Sequence, residues 1–135
     1  MSLPLTGIRI LAIEQFGAGP YGSMYLADMG AEVIKIENRP TGGDAARYTG
    51  IQLSEADSAY FQAFNLNKKS ITLNLKTKEG CELFHELVLT ADVVWNNLRG
   101  NQPARLGIDY ESLKIIKPNI ICTHISAYGR DNDRA

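Results

Sequence analysis

Cysteine is scarce in this chain of 135 residues. Cys81 and Cys122 are the only two, and neither has a second cysteine at metal-ligand spacing. That argues against a disulfide framework and a zinc site, and predicts two reduced, buried thiols. No apolar run approaches the roughly 20 residues that a membrane helix needs. No charged-then-apolar leader opens the sequence, so the cytoplasm is the expected compartment. An excess of either charge is also missing: 14 Lys and Arg face 15 Asp and Glu, for a formal net charge of −1. A nucleic-acid-binding face would favour a clustered basic excess, so neither nucleic acid nor a membrane is an expected partner. Repeats and low-complexity segments are lacking too. What is present is 44 % hydrophobic residues. That is too many for disorder and enough for the core of one domain.

The apolar pattern alternates between strand and helix. Residues 8–13 form a short branched run that reads as a buried strand. Gly19-Pro20 starts a helix on which Tyr21, Met24, Tyr25, Leu26 and Met29 place an apolar stripe, and Gly30 stops it. Residues 32–36 make a second strand. Residues 38–56, rich in Gly, Thr, Asp, Pro and Arg, read as a long functional loop. A short helix over 58–64 and a strongly alternating strand over 69–75 follow. Thr77 caps the next helix, whose inner face is Leu83, Phe84, Leu87 and Val88. Strands over 91–95 and 119–125 flank two short helices at 103–106 and 110–116, the second capped by Asp109.

Such alternation implies an α/β fold, a Rossmann-like parallel sheet with helices on both faces. No helix follows the fifth strand, so the expectation is an incomplete large domain, a fragment or one covered by another chain. In these sheets ligands bind beyond the carboxyl ends of the strands. Here those ends fall at residues 14–19, 37–39, 76, 96–99 and 126–128. They are rich in Gly, Asn, Lys and Arg, which suits phosphate and adenine.

Gly17, Gly19 and Gly22 satisfy G-x-G-x-x-G, and Glu37 ends the second strand near the distance expected of a ribose-binding acid. Two details weigh against a dinucleotide. Glu14-Gln15-Phe16 separate the strand from the glycines, and Pro20 removes an N–H that a pyrophosphate would use. The alternatives are a tight strand-to-helix turn without ligand, an NAD(P)-binding module, and a different nucleotide, coenzyme A.

Longer stretches favour the last. Pro4-Leu5 with residues 7–11, Ala18-Gly19-Pro20 and residues 26–37 (LADMGAEVIKIE) resemble the amino terminus of the class III CoA-transferases. That family includes formyl-CoA transferase, carnitine CoA-transferase and alpha-methylacyl-CoA racemase. The match continues through Gly42-Gly43-Asp44 with Arg47, Tyr60-Phe61, Asn65 with residues 67–70, and Leu73 with residues 75–77. It goes on through residues 91–94, Asn97, Arg105-Leu106-Gly107, Tyr110, Pro118 with residues 120–122, and residues 125–129. It is collinear over nearly the whole chain.

The resemblance implies a Rossmann-like large domain with a smaller second domain, in two chains that interlock as a homodimer. It implies acyl-CoA and a carboxylic acid as substrates, with coenzyme A along the large domain and no metal. An aspartate attacks the thioester to give a mixed anhydride and CoA thiolate; the thiolate then forms an aspartyl-CoA thioester, and the incoming acid attacks next. Carried over by position, the CoA contacts are Gly17, Ala18, Asn38, Arg39, Leu73, Asn74, Leu75, Lys76, Asn97, Leu98, Arg99 and Arg105, with Lys76 and Arg105 neutralising phosphates.

The sequence also departs from the family. Gly17 stands where formyl-CoA transferases carry glutamine. Asn38 replaces arginine or proline, Asn96-Asn97 replaces Glu-Asn, and Leu98 replaces Phe. The reactive aspartate belongs to a glycine-flanked segment beyond the fifth strand, and no such segment occurs here. Asp28, Asp44, Asp57, Asp92 and Asp109 align with ordinary positions, Asp131 and Asp133 lie too early, and His124 reads as structural. No catalytic residue is therefore expected. The leading reading is the CoA-binding portion of an acyl-CoA transferase, with a racemase, an NAD(P)-binding module and an inactive fragment as alternatives.

Overall fold

Short apolar runs joined by helical crossovers can pair only in parallel, and these do. The computed structural model describes residues 2–130 and 133–134. The chain runs β1 (Arg9–Ile13), α1 (Ala18–Asp28), β2 (Glu32–Glu37), two 3-10 turns (Arg39–Thr41 and Ala45–Tyr48), β3 (Gln52–Ser54), β4 (Asp57–Ser58) and α2 (Ala59–Asn65). It continues through β5 (Lys69–Thr72), α3 (Lys78–Leu89), β6 (Val93–Asn96), α4 (Gln102–Arg105), α5 (Tyr110–Leu113) and β7 (Ile121–His124). Five strands form one parallel sheet in the order β5-β2-β1-β6-β7, and β3 and β4 make a small antiparallel hairpin. The chain walks outward from β1 through β2 to β5, then returns to β6 on the other side of β1. Strand order therefore reverses between β1 and β6, where crevices form in open α/β sheets. The expected Rossmann-like class stands.

Because side chains alternate across a strand, β1 feeds two cores. Leu11 and Ile13 join Ile36, Val94, Phe84, Val88, Ile108, Leu113 and Ile120 on the α3 side. Ile10 and Ala12 join Val33 and Ala27 on the α1 side. Helix ends follow ordinary capping: Thr77 accepts from Gly80 N, Asp109 from Ser112 N and Ser58 from Phe61 N. Gly30, at φ +99°, ends α1 as expected.

Several expectations fail locally. The stripe on α1 is only partly its inner face: Leu26 packs against the α1-side core and Met24 is half-buried, but the fully buried positions are Gly19, Pro20, Ser23 and Ala27, while Tyr21 and Tyr25 are 46 % exposed and Met29 41 %. The reason is Trp95 on β6. A Cβ on Gly22 would lie 2.7 Å from Trp95 Cζ2, and Trp95 Nε1 donates to Gly19 O at 3.2 Å. Only a helix face of small residues can approach that closely. Pro20 is the third helical residue and not the first, still within the turn whose N–H groups lack helical partners. Leu83 is exposed, so the inner face of α3 is Gly80, Phe84 and Val88, with Leu87 partly buried.

The strand expected to run to residue 75 ends at Thr72. Its partner β2 ends at Glu37, and Leu73 N makes the last bond to Glu37 O at 2.9 Å. Residues 38–56 contain two 3-10 turns and most of the hairpin. Both cysteines are free but only half-buried; burial, followed by Asp109, pushes the Cys122 thiol up to about 11, which keeps it protonated and inert. Asp131 lies outside the described residues.

Gly80 provides a sharp test of packing. A Cβ there would stand 1.9 Å from Asn74 O, a backbone atom. In an open helix, Gly→Ala stabilises by about 1 kcal/mol. Here Gly80→Ala is expected to destabilise by about 3 kcal/mol or more, and Gly22→Ala by about 1–3 kcal/mol. Urea unfolding monitored by circular dichroism measures both signs.

Candidate functional site

The loops after β1 and β6 meet where strand order reverses. Asn97 Oδ1 accepts from Gln15 N at 2.9 Å, and Asn97 Nδ2 donates to Gln15 O at 2.9 Å. Next to this pair, Phe16 N donates to Asp44 Oδ1 at 2.9 Å and Lys35 Nζ to Glu14 O at 3.2 Å. Phe16 is held in the left-handed region, at φ +69°, uncommon for an aromatic residue. Residues 14–17 thus form a fixed ridge.

Clefts open on both sides of it. The first, about 500 Å³, has an apolar floor of Ile13, Ile36, Leu73, Leu75, Leu98 and Leu106, and a rim of Glu14, Gln15, Asn38, Thr41, Asn74, Lys76, Gln102 and Arg105. Asn38 Oδ1 is buried without a donor. The second, about 680 Å³, is lined by Ala18, Asn97, Leu98, Arg99 and Gly100, by residues 125–129, and by Arg134. Leu98 belongs to both, and its N–H donates to Asn96 Oδ1 at 3.3 Å. That bond turns the Asn96 amide nitrogen toward His124 Nδ1, 2.6 Å away. His124 therefore accepts there, as a neutral ring; burial, then Arg130, lowers its pKa, against an opposing pull from Asp109.

Beneath the ridge lies a buried ionic network. Lys35 Nζ is 2.7 Å from Asp44 Oδ2 and 3.7 Å from Glu14 Oε1. Glu14 also accepts from Ser23 Oγ at 2.8 Å and from Lys68 Nζ at 2.8 Å. Lys68 Nζ further donates to Pro20 O and Asn65 Oδ1. Burial lowers the pKa of Lys68, and the Glu14 carboxylate opposes that shift. Glu37 takes two bonds from Arg47, at 2.6 and 2.8 Å, one from Ser70 Oγ at 2.6 Å and one from Asp44 N at 2.8 Å. Burial alone would raise the Glu37 pKa, but these four bonds outweigh it and hold the carboxyl at about 2. The Arg47 guanidinium stacks 3.8 Å from the centre of the Phe61 ring.

Of the contacts carried over from the resemblance, Asn38, Leu73, Asn74, Leu75, Lys76, Leu98 and Arg105 converge on the first cleft. Ala18, Asn97, Leu98 and Arg99 line the second. Gly17 caps α1, where a Cβ would come 3.3 Å from Tyr60 Oη, and Arg39 opens the exposed 3-10 turn beside Asn38 and Thr41. Glu37 is fully engaged and offers nothing to a ribose. Gly19 and Gly22 make room for Asn97 and Trp95.

The ionic network was not foreseen. Its trace in the sequence is the spacing of Lys35 and Glu37, two charges on one face of a strand that the pattern marks as buried. Each aligned aspartate is engaged structurally. Asp28 accepts from Asn67, Asp44 pairs with Lys35, Asp57 accepts from Gln62, Asp92 accepts from Arg9 N, and Asp109 caps α5.

Comparison with known proteins places this geometry. A family profile described as CoA-transferase family III matches residues 5–135. The succinate–glutarate CoA-transferase of Agrobacterium fabrum is 44 % identical over 133 residues, covering 94 % of this chain and 33 % of that protein. The cinnamoyl-CoA:phenyllactate CoA-transferase of Clostridium sporogenes is 38 % identical over 128 residues, covering 92 % and 31 %. Among solved structures, a CAIB/BAIF family protein from Brucella suis superposes with a TM-score of 0.85 at 39 % identity, over 96 % of this chain and 35 % of that one. The chain thus spans about a third of the length of the curated relatives it matches.

The network makes stability depend on pH. The folded Glu37 pKa, about 2, lies below the ordinary 4.5, so the unfolded chain binds more protons at acid pH. Its contribution is full above the ordinary value and disappears as pH falls through about 2. The urea midpoint is expected to drop between about pH 5 and pH 2, and Glu37→Gln to flatten that drop. Arg47→Ala, which strands the carboxylate, is expected to cost about 3 kcal/mol at neutral pH.

Proposed function

This chain belongs to CoA-transferase family III, and from that membership we propose that its two clefts bind the CoA part of an acyl-CoA. The observation that carries this reading is where the unpaired cations lie. Arg9, Lys35, Arg47, Lys68, Lys69, Lys78 and Lys114 all reach carboxylates. Arg39, Lys76, Arg99 and Arg105 make no ion pair or side-chain hydrogen bond with another described residue. Lys76 and Arg105 line the first cleft, Arg99 the second, and Arg39 flanks Asn38. Coenzyme A is a polyphosphorylated nucleotide with a long amide-bearing arm. Free cations answer its phosphates, an apolar floor answers adenine, and the unpartnered Asn38 Oδ1 answers an N–H donor.

In the whole protein the reaction is transfer of CoA between carboxylic acids through an aspartyl anhydride. The relatives named above are transferases, which favours transfer over racemisation. Within this chain every aligned aspartate is engaged elsewhere, so its part is binding and orientation. The proposed assembly is an interlocked pair of chains. The uncovered row of Tyr21, Tyr25 and Met29 on α1 supports a partner surface of that apolar character.

Isothermal titration tests the binding. CoA is expected to bind in about the micromolar range while NAD gives no heat. Lys76→Ala and Arg105→Ala should each weaken CoA about tenfold, as loss of a bond to a charged group does, and affinity should fall with added salt. Equal affinity for NAD, or CoA binding that ignores both cations, would falsify the assignment.

A further inference from the structure

Four consecutive backbone groups, Glu14 O, Gln15 N, Gln15 O and Phe16 N, are held by the side chains of Lys35, Asn97 and Asp44. Connections of this kind run over the surface and are ordinarily mobile. This one is pinned at every backbone polar atom along its centre. The Asn97 amide faces both the N–H and the C=O of Gln15, as a neighbouring strand would. Gln15 follows β1 and Asn97 follows β6, and those strands are in register through Ile13 and Asn96. The side chain therefore extends the sheet ladder by one step, at the point where strand order reverses.

Gly19 leaves the space this requires: a Cβ there would lie 2.7 Å from Asn97 Cγ and 2.9 Å from Oδ1. What is pinned is the ridge between the clefts. Gln15 lines the first cleft, and Ala18 and Asn97 line the second. Resting on the CoA reading above, we propose that Asn97 is a positioning residue: with Asp44 and Lys35 it presets the ridge of residues 14–17 over which CoA passes from one cleft to the other. A ridge ordered beforehand spares the ligand the cost of ordering it on binding.

Amide hydrogen exchange combined with CoA titration tests this. In the ligand-free wild type the Gln15 and Phe16 amides are expected to be protected. Asn97→Ala should speed Gln15 exchange at least about tenfold, leave β1 and β6 amides unchanged, and weaken CoA about tenfold, the size expected for lost hydrogen bonds. Gly19→Ala should produce both changes with Asn97 still present, and the double variant should be no weaker than the weaker single one. Unprotected Gln15 in the wild type overturns the proposal whatever the variants do. So does Asn97→Ala weakening CoA with Gln15 exchange unchanged, which marks a ligand contact only, or loosening Gln15 with CoA affinity unchanged. A wild type that protects Gln15 yet binds no CoA defeats the functional reading and leaves the ridge clamp standing.

Discussion

Three cations and three carboxylates are packed under the ends of β1 and β2, and the α1 side of the molecule is organised around them. Lys35, Lys68 and Arg47 face Glu14, Asp44 and Glu37, so the cluster is neutral as a whole. A single charge left there would be costly, because burial removes hydration and only a partner replaces it. Each member therefore demands the others. Its ties run to Ser23 and Pro20 O on α1, Asn65 on α2, Ser70 on β5 and Ala46 N in the second 3-10 turn. Buried ion pairs are weak sources of net stability compared with apolar packing. Here the cluster dictates geometry: it folds the segment after β2 back so that Asp44 reaches Phe16 N, and it places Lys35 under Glu14 O.

The frame was legible in the sequence because it depends on local patterning. Short branched apolar runs such as RILAI mark central strands, Thr77 and Asp109 mark helix starts, and Gly30 marks a stop. The failures share one cause, in that the deciding partner is remote along the chain. Apolar periodicity on α1 favoured Tyr21, Tyr25 and Met29, but Trp95, on the sixth strand, admits only small residues. Alternation continued past Thr72, but a strand cannot outlast its neighbour, and β2 had already ended. Lys35 is sealed by Asp44 and Glu14, which lie 9 and 21 residues away along the chain and which its own strand pattern does not name.

The same contrast applies to the site. Residues at strand ends could be placed at one rim by topology alone, and seven of the twelve carried-over contacts line a single cleft. The glycine pattern was less informative than it looked. In a dinucleotide fold its glycines serve a tight turn, close approach of a pyrophosphate, and helix–strand packing. Here Gly19 and Gly22 serve packing, against Asn97 and Trp95. The acidic residue that completes the motif is sealed by Arg47, Ser70 and Asp44 N. A motif copies only the steric need for hydrogen in place of a side chain, and more than one ligand chemistry can share that need.

Charge pairing then separates what holds this chain together from what it offers. Lys35, Lys68 and Arg47 are used in the buried cluster, while Arg39, Lys76, Arg99 and Arg105, which make no ion pair with another described residue, lie around two clefts that share one wall at Leu98. In the buried set, moving any one group disturbs every partner. In the rim set, no cation has an ion pair to another described residue that an incoming anion would have to break. Rigidity under the ridge and availability around it are complementary. The first keeps the spacing between clefts constant, and under the proposed CoA reading the second offers several points of contact along that fixed path. A surface built the other way, with paired rim cations and a loose ridge, would have to break ion pairs and order a loop before binding anything.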